Sequence, residues 1–379
     1  MITFPTPVAE TAADAAVAEL VAHTKWAYTT RRIDLDRAAG LLTDPHTSPR
    51  AGDVVIARVT EIGQHKRLEL QTGRRATLFV GDHVGIVYGA RYAPDQFLAH
   101  LPSDLTTCNL VAAGGLAGQV ELAHATMADA TSIEPVGILT DAGGNRLNLR
   151  DSALRPVAPL SSHRPPTIAV VGSSMNAGKT TTMASLVRGL KAAGLTVGAA
   201  KVTGTGAGGD VWLLTDSGAD HVYDFTHAGA PSTFGLDPAE VRGIFETLTT
   251  QLAGDGTDVN VIEVADGLFH AETAALLRDP SFHQIIDGVI FAARDSLSAT
   301  AGVQWLRDAG LPLMSVSGLM TASPLSVAEF DGTFDVPVDD TLSLAEAGRA
   351  AELRDRALAL RGAWVPGTLA AVPHAEEAV

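Results

Sequence analysis

Cysteine is almost absent from this chain of 379 residues, in which Cys108 has no second cysteine to pair with. A lone cysteine excludes an intrachain disulfide framework and a cysteine-rich zinc module, and it fits a reducing compartment. We therefore predict a cytoplasmic protein in which Cys108 is a small, buried apolar side chain.

Long apolar runs and an excess of basic charge are missing as well. The sequence has no run of 18 apolar residues, and its first residues include Glu10 and Asp14 in place of a signal peptide's basic flank and apolar core. The net charge is −16, from 27 basic and 43 acidic residues, with no cluster of lysine and arginine. We therefore expect neither nucleic acid nor a membrane as a partner.

Apolar residues are plentiful, at 46% of the chain against 18% charged, and the length suffices for two domains with packed cores. Helical periodicity predicts an N-terminal helical segment over residues 1–50, with helices at 9–30 and 33–42. Short runs with a period of two then predict a small β-rich domain, a barrel or a sandwich, over residues 51–152. Proline and serine predict a linker over 153–166.

Residues 167–379 alternate between strand-like and helix-like runs, which predicts a largely parallel sheet with helices on both faces. The strand-like runs are 167–172, 195–202, 221–225, 259–264, 288–293 and 313–318. The helix-like runs are 179–193, about 209–217, 238–253, 272–284, 296–309 and 323–330, followed by a last helix over about 343–361 that opens with Ser343 and Glu346 in capping-box spacing. In such sheets, ligands bind at the carboxyl ends of the strands.

Residues 167–182, Thr-Ile-Ala-Val-Val-Gly-Ser-Ser-Met-Asn-Ala-Gly-Lys-Thr-Thr-Thr, predict a strand, a phosphate loop and a helix in that order. The pattern G-x-x-x-x-G-K-[ST] is met with one departure, because Ser173 stands where the pattern has glycine and the glycine is Gly172. Backbone N–H groups and a helix N-terminus bind phosphate oxygens, a lysine neutralises their charge, and a threonine hydroxyl can ligate Mg²⁺. The predicted nucleotide-binding residues are Gly172, Ser174, Asn176, Ala177, Gly178, Lys179, Thr180 and Thr181. The alternative is a Gly/Ser-rich turn that happens to precede a lysine.

Three more charged residues stand at predicted strand ends. Lys201 ends the second strand before a glycine-rich run, where a cation can face a γ-phosphate or an acidic substrate. Asp210 opens a helix and Glu263 ends an apolar strand, and carboxylates placed beside a phosphate loop can hold Mg²⁺ with Thr180. The alternatives are a solvated lysine, a helix-capping aspartate, and a solvated Glu263 or Asp266.

Two histidines are weaker candidates for acid–base chemistry. His227 lies in the long Gly/Ser/Thr loop 224–235, which we predict to be a substrate-binding or switch segment, and His270 follows the fourth strand. Neither has an orienting acid at motif spacing, so we expect structural or solvent-exposed histidines. The aromatic segment 88–97 could be a substrate-facing or interface loop, and we expect the commoner case, a plain structured connection.

Taken together, the G-x5-G-K-T loop, the run from Lys201 to Gly206, Asp210, and the run from Glu263 to Gly267 resemble a known family. Residues 165–340 look like dethiobiotin synthetase and the related cobyrinic and cobyric acid amide synthases. That family has Lys-Pro-Val where this chain has Lys201-Val-Thr. The resemblance implies ATP and Mg²⁺ as cofactors, with Lys179 and Thr180 on the phosphates and metal, Asp210 and Glu263 on Mg²⁺, and Lys201 on the γ-phosphate and substrate.

The sequence as a whole predicts an α/β protein, a parallel-sheet P-loop NTPase domain preceded by a smaller β-rich domain. We expect an enzyme that uses ATP and Mg²⁺ to transfer the γ-phosphoryl group to a carboxylate or hydroxyl oxygen of a small anionic metabolite. It would act as a kinase or as the activation step of a ligase or cyclase, with Lys179 and Lys201 as catalytic residues. We expect a homodimer.

Two other functions remain open. The first is a nucleotide-hydrolysing switch or chaperone that drives delivery of a cofactor, metal or partner, for which loop 224–235 would be the mobile segment. The second is a nucleotide sensor with little turnover. The sequence has no Asn-Lys-x-Asp guanine signature, so adenine is implied by the resemblance alone.

Overall fold

The computed structural model of the protein describes residues 12–155 and 164–361. The chain forms two compact units, of which the first runs to Leu154 and also includes residues 205–209 and 225–234. The second unit contains the remaining described residues from Arg155 onward. Three parts of the predictions lie outside the described residues, namely residues 1–11 of the N-terminal helical segment, residues 156–163 of the linker and residues 362–379 of the predicted P-loop domain.

The first unit is built on a closed ring of β-strands. The helix α1 (Ala12–His23) precedes strands β1 (Lys25–Trp26), β2 (Gly40–Leu42), β3 (Val54–Glu61), β4 (Arg67–Glu69), β5 (Arg75–Thr77), β6 (His83–Tyr88), β7 (Arg91–Tyr92), β8 (Phe97–His100), β9 (Cys108–Ala112), β10 (Leu116–Ala123) and β11 (Thr131–Thr140). The ring runs β6-β3-β11-β9-β10, and a parallel β10–β6 pairing closes it. This confirms the β-rich domain and makes it a barrel, which removes the sheet edges.

The barrel interior is filled by side chains. Val55, Ile86, Leu110 and other residues from facing strands form one buried cluster, which also contains Cys108. Burial raises the pKa of the Cys108 thiol to about 12, since the charged thiolate is disfavoured away from water. Cys108 is therefore the inert, buried apolar side chain that we predicted.

The helical prediction for residues 1–50 holds only in part, because among the described residues the α-helix covers Ala12–His23. Lys25–Trp26 instead pairs in parallel with β6, where the Trp26 ring packs so closely on Gly85 that a Cβ there would lie 2.1 Å from it. Gly40–Leu42 pairs with the end of β11. Pairing with the barrel has overridden the local helical periodicity.

The second unit is an open parallel sheet. Its strands are β12 (Thr167–Gly172), β13 (Val197–Lys201), β14 (His221–Asp224), β15 (Val259–Val264), β16 (Gly288–Ala292) and β17 (Leu313–Ser317). They lie in the order β14-β13-β15-β12-β16-β17, and every pair is parallel. Every residue of β12, β15 and β16 is buried, as expected for strands covered on both faces.

The helices of this unit alternate with its strands. They are α2 (Lys179–Ala192), α3 (Gly209–Asp216), α4 (Pro238–Gly254), α5 (Ala271–Leu277), α6 (Pro280–Ile285), α7 (Ser296–Asp308), α8 (Pro324–Phe330), α9 (Thr341–Leu344) and α10 (Ala347–Leu360). The predicted βα alternation is confirmed, while two predicted helices are each divided. The run 272–284 breaks where Pro280 starts a new helix capped by Asp279, and the last helix is preceded by the short α9, which Asp340 caps.

No helix among residues 12–155 and 164–361 is both long and apolar enough to cross a membrane.

Candidate nucleotide-binding site

The loop between β12 and α2 has the backbone conformation of a phosphate loop. Asn176 and Gly178 have positive φ values of 61° and 94°, which turn the chain into the start of α2 at Lys179. A Cβ at Gly172 would lie 2.6 Å from Cγ of Lys179. A side chain at position 172 would therefore collide with the stem of Lys179, which gives the glycine there a steric reason.

The side chain of Lys179 lies across this loop. Only 6% of the residue is exposed, and its Nζ donates a hydrogen bond of 2.9 Å to the carbonyl oxygen of Ser174. Burial lowers the pKa of Lys179, while the nearby carboxylate of Glu263 acts in the opposite direction. The chain thus holds an ammonium group where phosphate oxygens are expected.

A pocket of about 430 Å³ opens beside the loop at the carboxyl ends of the strands. It is lined by Met175, Asn176, Gly178, Lys179, Thr180, Thr181, Lys201, Asp210, Glu263, Ala265, Asp266 and Leu319. Most of the sequence-predicted residues are therefore brought together. Gly172, Ser174 and Ala177 do not line the pocket, and they act on the loop itself, Ser174 by holding Lys179 and Ala177 by accepting the N–H of Leu319.

Lys201 forms ion pairs with both predicted metal-binding acids. Its Nζ donates a short hydrogen bond to Oδ2 of Asp210 and lies 3.4 Å from Oε1 of Glu263. Burial alone would lower the pKa of Lys201, but Glu263 and Asp210 outweigh it and raise the pKa above its ordinary value. Lys201 therefore stays charged at any physiological pH.

Two buried oxygen atoms at the site suit a metal ion and phosphate. Oε2 of Glu263, a residue only 1% exposed, and Oγ of Ser173 have no hydrogen-bond partner among the described residues. A buried carboxylate oxygen is costly unless it meets a cation, and oxygen ligands are those that Mg²⁺ prefers. Within the described part of the chain, however, no group of three or more His, Cys, Asp or Glu side chains forms a metal site. The donor set thus fits Mg²⁺ that also takes ligands from a nucleotide.

Three features define the architecture of this unit. The phosphate loop follows the central parallel strand β12, a lysine starts α2, and an acid lies on the neighbouring strand β15. The second unit has the P-loop NTPase fold.

Comparison with known proteins adds distant similarities. No protein-family profile and no curated protein match the chain. Among solved structures, the signal recognition particle receptor FtsY from Elizabethkingia anophelis in complex with GDP is 24% identical over 50% of this chain and 60% of its own, with a TM-score of 0.33. The 54 kDa signal recognition particle protein from Aeropyrum pernix K1 in complex with GDP is 17% identical over 56% and 50%, with a TM-score of 0.34.

A third similar structure is a DUF1611 family protein from Anabaena variabilis, 16% identical over 57% of this chain and 64% of its own, with a TM-score of 0.39. The match covers less than two thirds of the length of each of these three proteins. The fold assignment therefore rests on the phosphate loop and the strand order, and these similarities add nothing about activity.

Two buried threonines that the sequence did not single out hold the end of β15. The hydroxyl of Thr203 donates to the carbonyl oxygen of Ala265 at 2.5 Å and accepts its N–H at 2.7 Å. The hydroxyl of Thr273 donates to the same carbonyl oxygen at 2.5 Å. Ala265 lies between Glu263 and Asp266 in the pocket wall, so these hydroxyls position both acids. Thr203 stands two residues after β13 and Thr273 lies within α5, and nothing in the sequence separates either from an ordinary threonine.

The two candidate histidines belong to different units. His227 lies in the first unit, where the Arg31 guanidinium is 3.1 Å from its Nδ1. His270 lies in the second, and its Nδ1 is 3.0 Å from Oε2 of Glu272, so it does have a carboxylate neighbour that spacing did not predict. Oε1 of Glu272 accepts the N–H of Gly235 at 2.6 Å. Neither histidine lines the pocket.

Proposed function

We propose that the protein binds a nucleoside triphosphate with Mg²⁺ and hydrolyses it as a molecular switch. The carrying observation is the pocket in which the phosphate loop, Lys179, Lys201 and the buried oxygen of Glu263 converge. Backbone N–H groups and the start of α2 would bind the phosphates, and Lys179 would neutralise their charge. Thr180, Asp210 and Glu263 would hold Mg²⁺, and the bound metal would offset the negative charge of the phosphates.

A switch needs segments that respond to the γ-phosphate, and the division of the chain into units supports this proposal. Residues 205–209 follow Lys201 and precede Asp210, yet they belong to the first unit. Residues 225–234, which follow β14, belong to it as well. Residues 205–209 join Lys201 and Asp210 along the chain, so a change at either of these two residues can reach the barrel unit through the chain itself.

Phosphoryl transfer to a small anionic metabolite, as in the dethiobiotin synthetase family, is the second candidate. Lys201 favours it, because a second buried ammonium beside the phosphate loop can stabilise both the migrating phosphoryl group and an acidic acceptor. ATP would then be the donor, and a homodimer would be the expected assembly.

The two functions are separated by one experiment. The purified chain is incubated with Mg²⁺ and γ-³²P-labelled ATP or GTP, with and without a metabolite extract, and the label is followed by chromatography. Slow release of phosphate that is independent of extract supports the switch. Label in a new small molecule, or phosphate release that requires extract, supports the transferase. If Lys179→Ala releases phosphate as fast as the unmodified chain, the activity does not come from this site.

A further inference from the structure

The two acids proposed for Mg²⁺ already have a cation as partner. Nζ of Lys201 pairs with Asp210 and lies 3.4 Å from Glu263, and only 14% of the Lys201 side chain is exposed. One carboxylate oxygen in the pair, Oε2 of Glu263, is left without a hydrogen-bond partner among the described residues. A divalent cation that used both acids would therefore have to compete with the ammonium for them.

Displacing Lys201 from the two acids is unfavourable for a free divalent cation. Mg²⁺ binds proteins through one or two carboxylates and takes its remaining ligands from water and substrate phosphates. Binding both acids would leave the Lys201 ammonium close to a double positive charge, in a pocket partly shielded from water. The described residues supply no cluster of three acidic, histidine or cysteine ligands to offset this repulsion.

A nucleotide changes the balance, because its phosphate oxygens give the ammonium a new partner at the moment that the metal arrives. We propose that Lys201 makes metal binding conditional on the nucleotide. Its ammonium group pairs with Asp210 and Glu263 and so competes with a free divalent cation, and it releases both acids when it pairs with phosphate oxygens instead. The inference rests on the proposed Mg²⁺–nucleotide site. Lys201 would thereby favour binding of the metal–nucleotide complex over binding of the free metal, in addition to any role in phosphoryl transfer.

The test measures binding of Mn²⁺, a paramagnetic substitute for Mg²⁺, to the full chain by electron paramagnetic resonance at pH 8. Without nucleotide, the unmodified chain and Lys201→Arg should bind Mn²⁺ weakly. Lys201→Met should bind it at least about tenfold more tightly, because the competing charge is gone while both acids remain. The matched control is Lys191→Met, which removes a lysine that pairs with Asp220 away from the pocket and should leave Mn²⁺ affinity unchanged.

The proposal would be overturned if, without nucleotide, Lys201→Met bound Mn²⁺ no more tightly than the unmodified chain. Circular dichroism checks that each variant is folded, and Lys201→Gln replaces Lys201→Met if the latter is not. The measurement needs no turnover, so a protein that fails to hydrolyse nucleotide can still pass or fail it. Absence of phosphate release therefore counts against the proposed function alone.

Discussion

Lys179 and Lys201 bring two positive charges into the pocket, against the three carboxylates of Asp210, Glu263 and Asp266. The protein side of the pocket therefore carries a net charge of −1, and a triphosphate adds several more negative charges. Binding is favourable only where the positive groups point directly at phosphate oxygens or where a metal ion enters as well. This is why single lysines should have large effects here, in a chain whose overall charge is already negative.

Lys179→Ala should lower nucleotide hydrolysis at least about a hundredfold, since one preorganised cation or donor at a transferring group is typically worth that much. Nucleotide affinity, measured by titration with a fluorescent analogue, should fall as well. Lys191→Ala is the control, because Lys191 lies at the other end of the same helix α2 and pairs with Asp220. Equal turnover in the two variants would rule out Lys179 as the phosphate-binding lysine.

Thr203→Val should weaken the binding of Mg²⁺ more than it lowers the maximal rate of the reaction. Valine keeps the shape but leaves the buried N–H of Ala265 without the acceptor that fixes this stretch between Glu263 and Asp266. We expect the Mg²⁺ concentration at half-maximal activity to rise about three- to tenfold, which corresponds to a loss of roughly 1 kcal/mol of positioning.

The control is Thr257→Val, two residues before the start of β15. Its hydroxyl donates to Leu252 and Asn260 and is similarly buried, so a comparable stability loss with no change in Mg²⁺ dependence is expected. Thr203→Ser should restore the normal titration. If Thr257→Val raised the Mg²⁺ requirement by the same factor, Thr203 would have no specific role in positioning the acids.

Elements of the second unit are tied together at the amino edge of the sheet by the buried carboxylate of Asp287. It pairs with Arg164 before β12 and with Arg361 after α10, and it accepts the N–H of Thr167 at 2.9 Å. Asp287→Ala would leave two guanidinium groups without their carboxylate and should destabilise this unit by about 3–5 kcal/mol. Urea unfolding is the measurement, and Glu352→Ala, which breaks an exposed pair with Arg349 in the same unit, should cost about 1 kcal/mol or less.

The elements of the parallel sheet could be predicted from sequence because each carries its own local signal. Runs such as Val259–Val264 are apolar throughout, and the phosphate loop adds glycine and lysine at fixed spacing. The acids of the pocket could also be predicted, because the carboxyl ends of parallel strands lie at one edge of the sheet. The pairing of Lys201 with Asp210 and Glu263 could not be predicted from the sequence, since side-chain partners depend on the order of the strands.

Short strands of the barrel unit were beyond sequence analysis for a different reason. Lys25–Trp26 has only two residues, and its conformation is set by pairing with β6, which lies more than fifty positions away. Likewise, residues 205–209 and 225–234 carry ordinary loop compositions, so nothing in the sequence separates them from the P-loop domain predicted over 167–379. Contacts between residues distant in sequence determine both the short strand and the unit to which the two segments belong.

The whole molecule is proposed to respond to nucleotide through the two segments that the barrel unit includes. Within that unit, the buried carboxylate of Glu69 accepts the N–H of Gly208, and the N–H of Gly206 donates to Pro231, so the segments are fastened both to the barrel and to each other. Gly208 is two residues before Asp210. A change in the partners of Asp210 should therefore alter the stability of the hydrogen bonds around Gly208.

Hydrogen exchange measured by mass spectrometry can detect that response. In the unmodified chain, Mg²⁺ with a non-hydrolysable triphosphate analogue should slow exchange in peptides covering 205–209 and 225–234, beyond the protection of the phosphate loop itself. Glu69→Ala should abolish the change at 205–209 while nucleotide affinity stays intact, because Glu69 does not line the pocket. Glu134→Ala, which removes an exposed ion pair with Arg58 on the same barrel, should behave as the unmodified chain. Exchange in both segments that is insensitive to nucleotide would separate the barrel from the nucleotide cycle and favour the transferase over the switch.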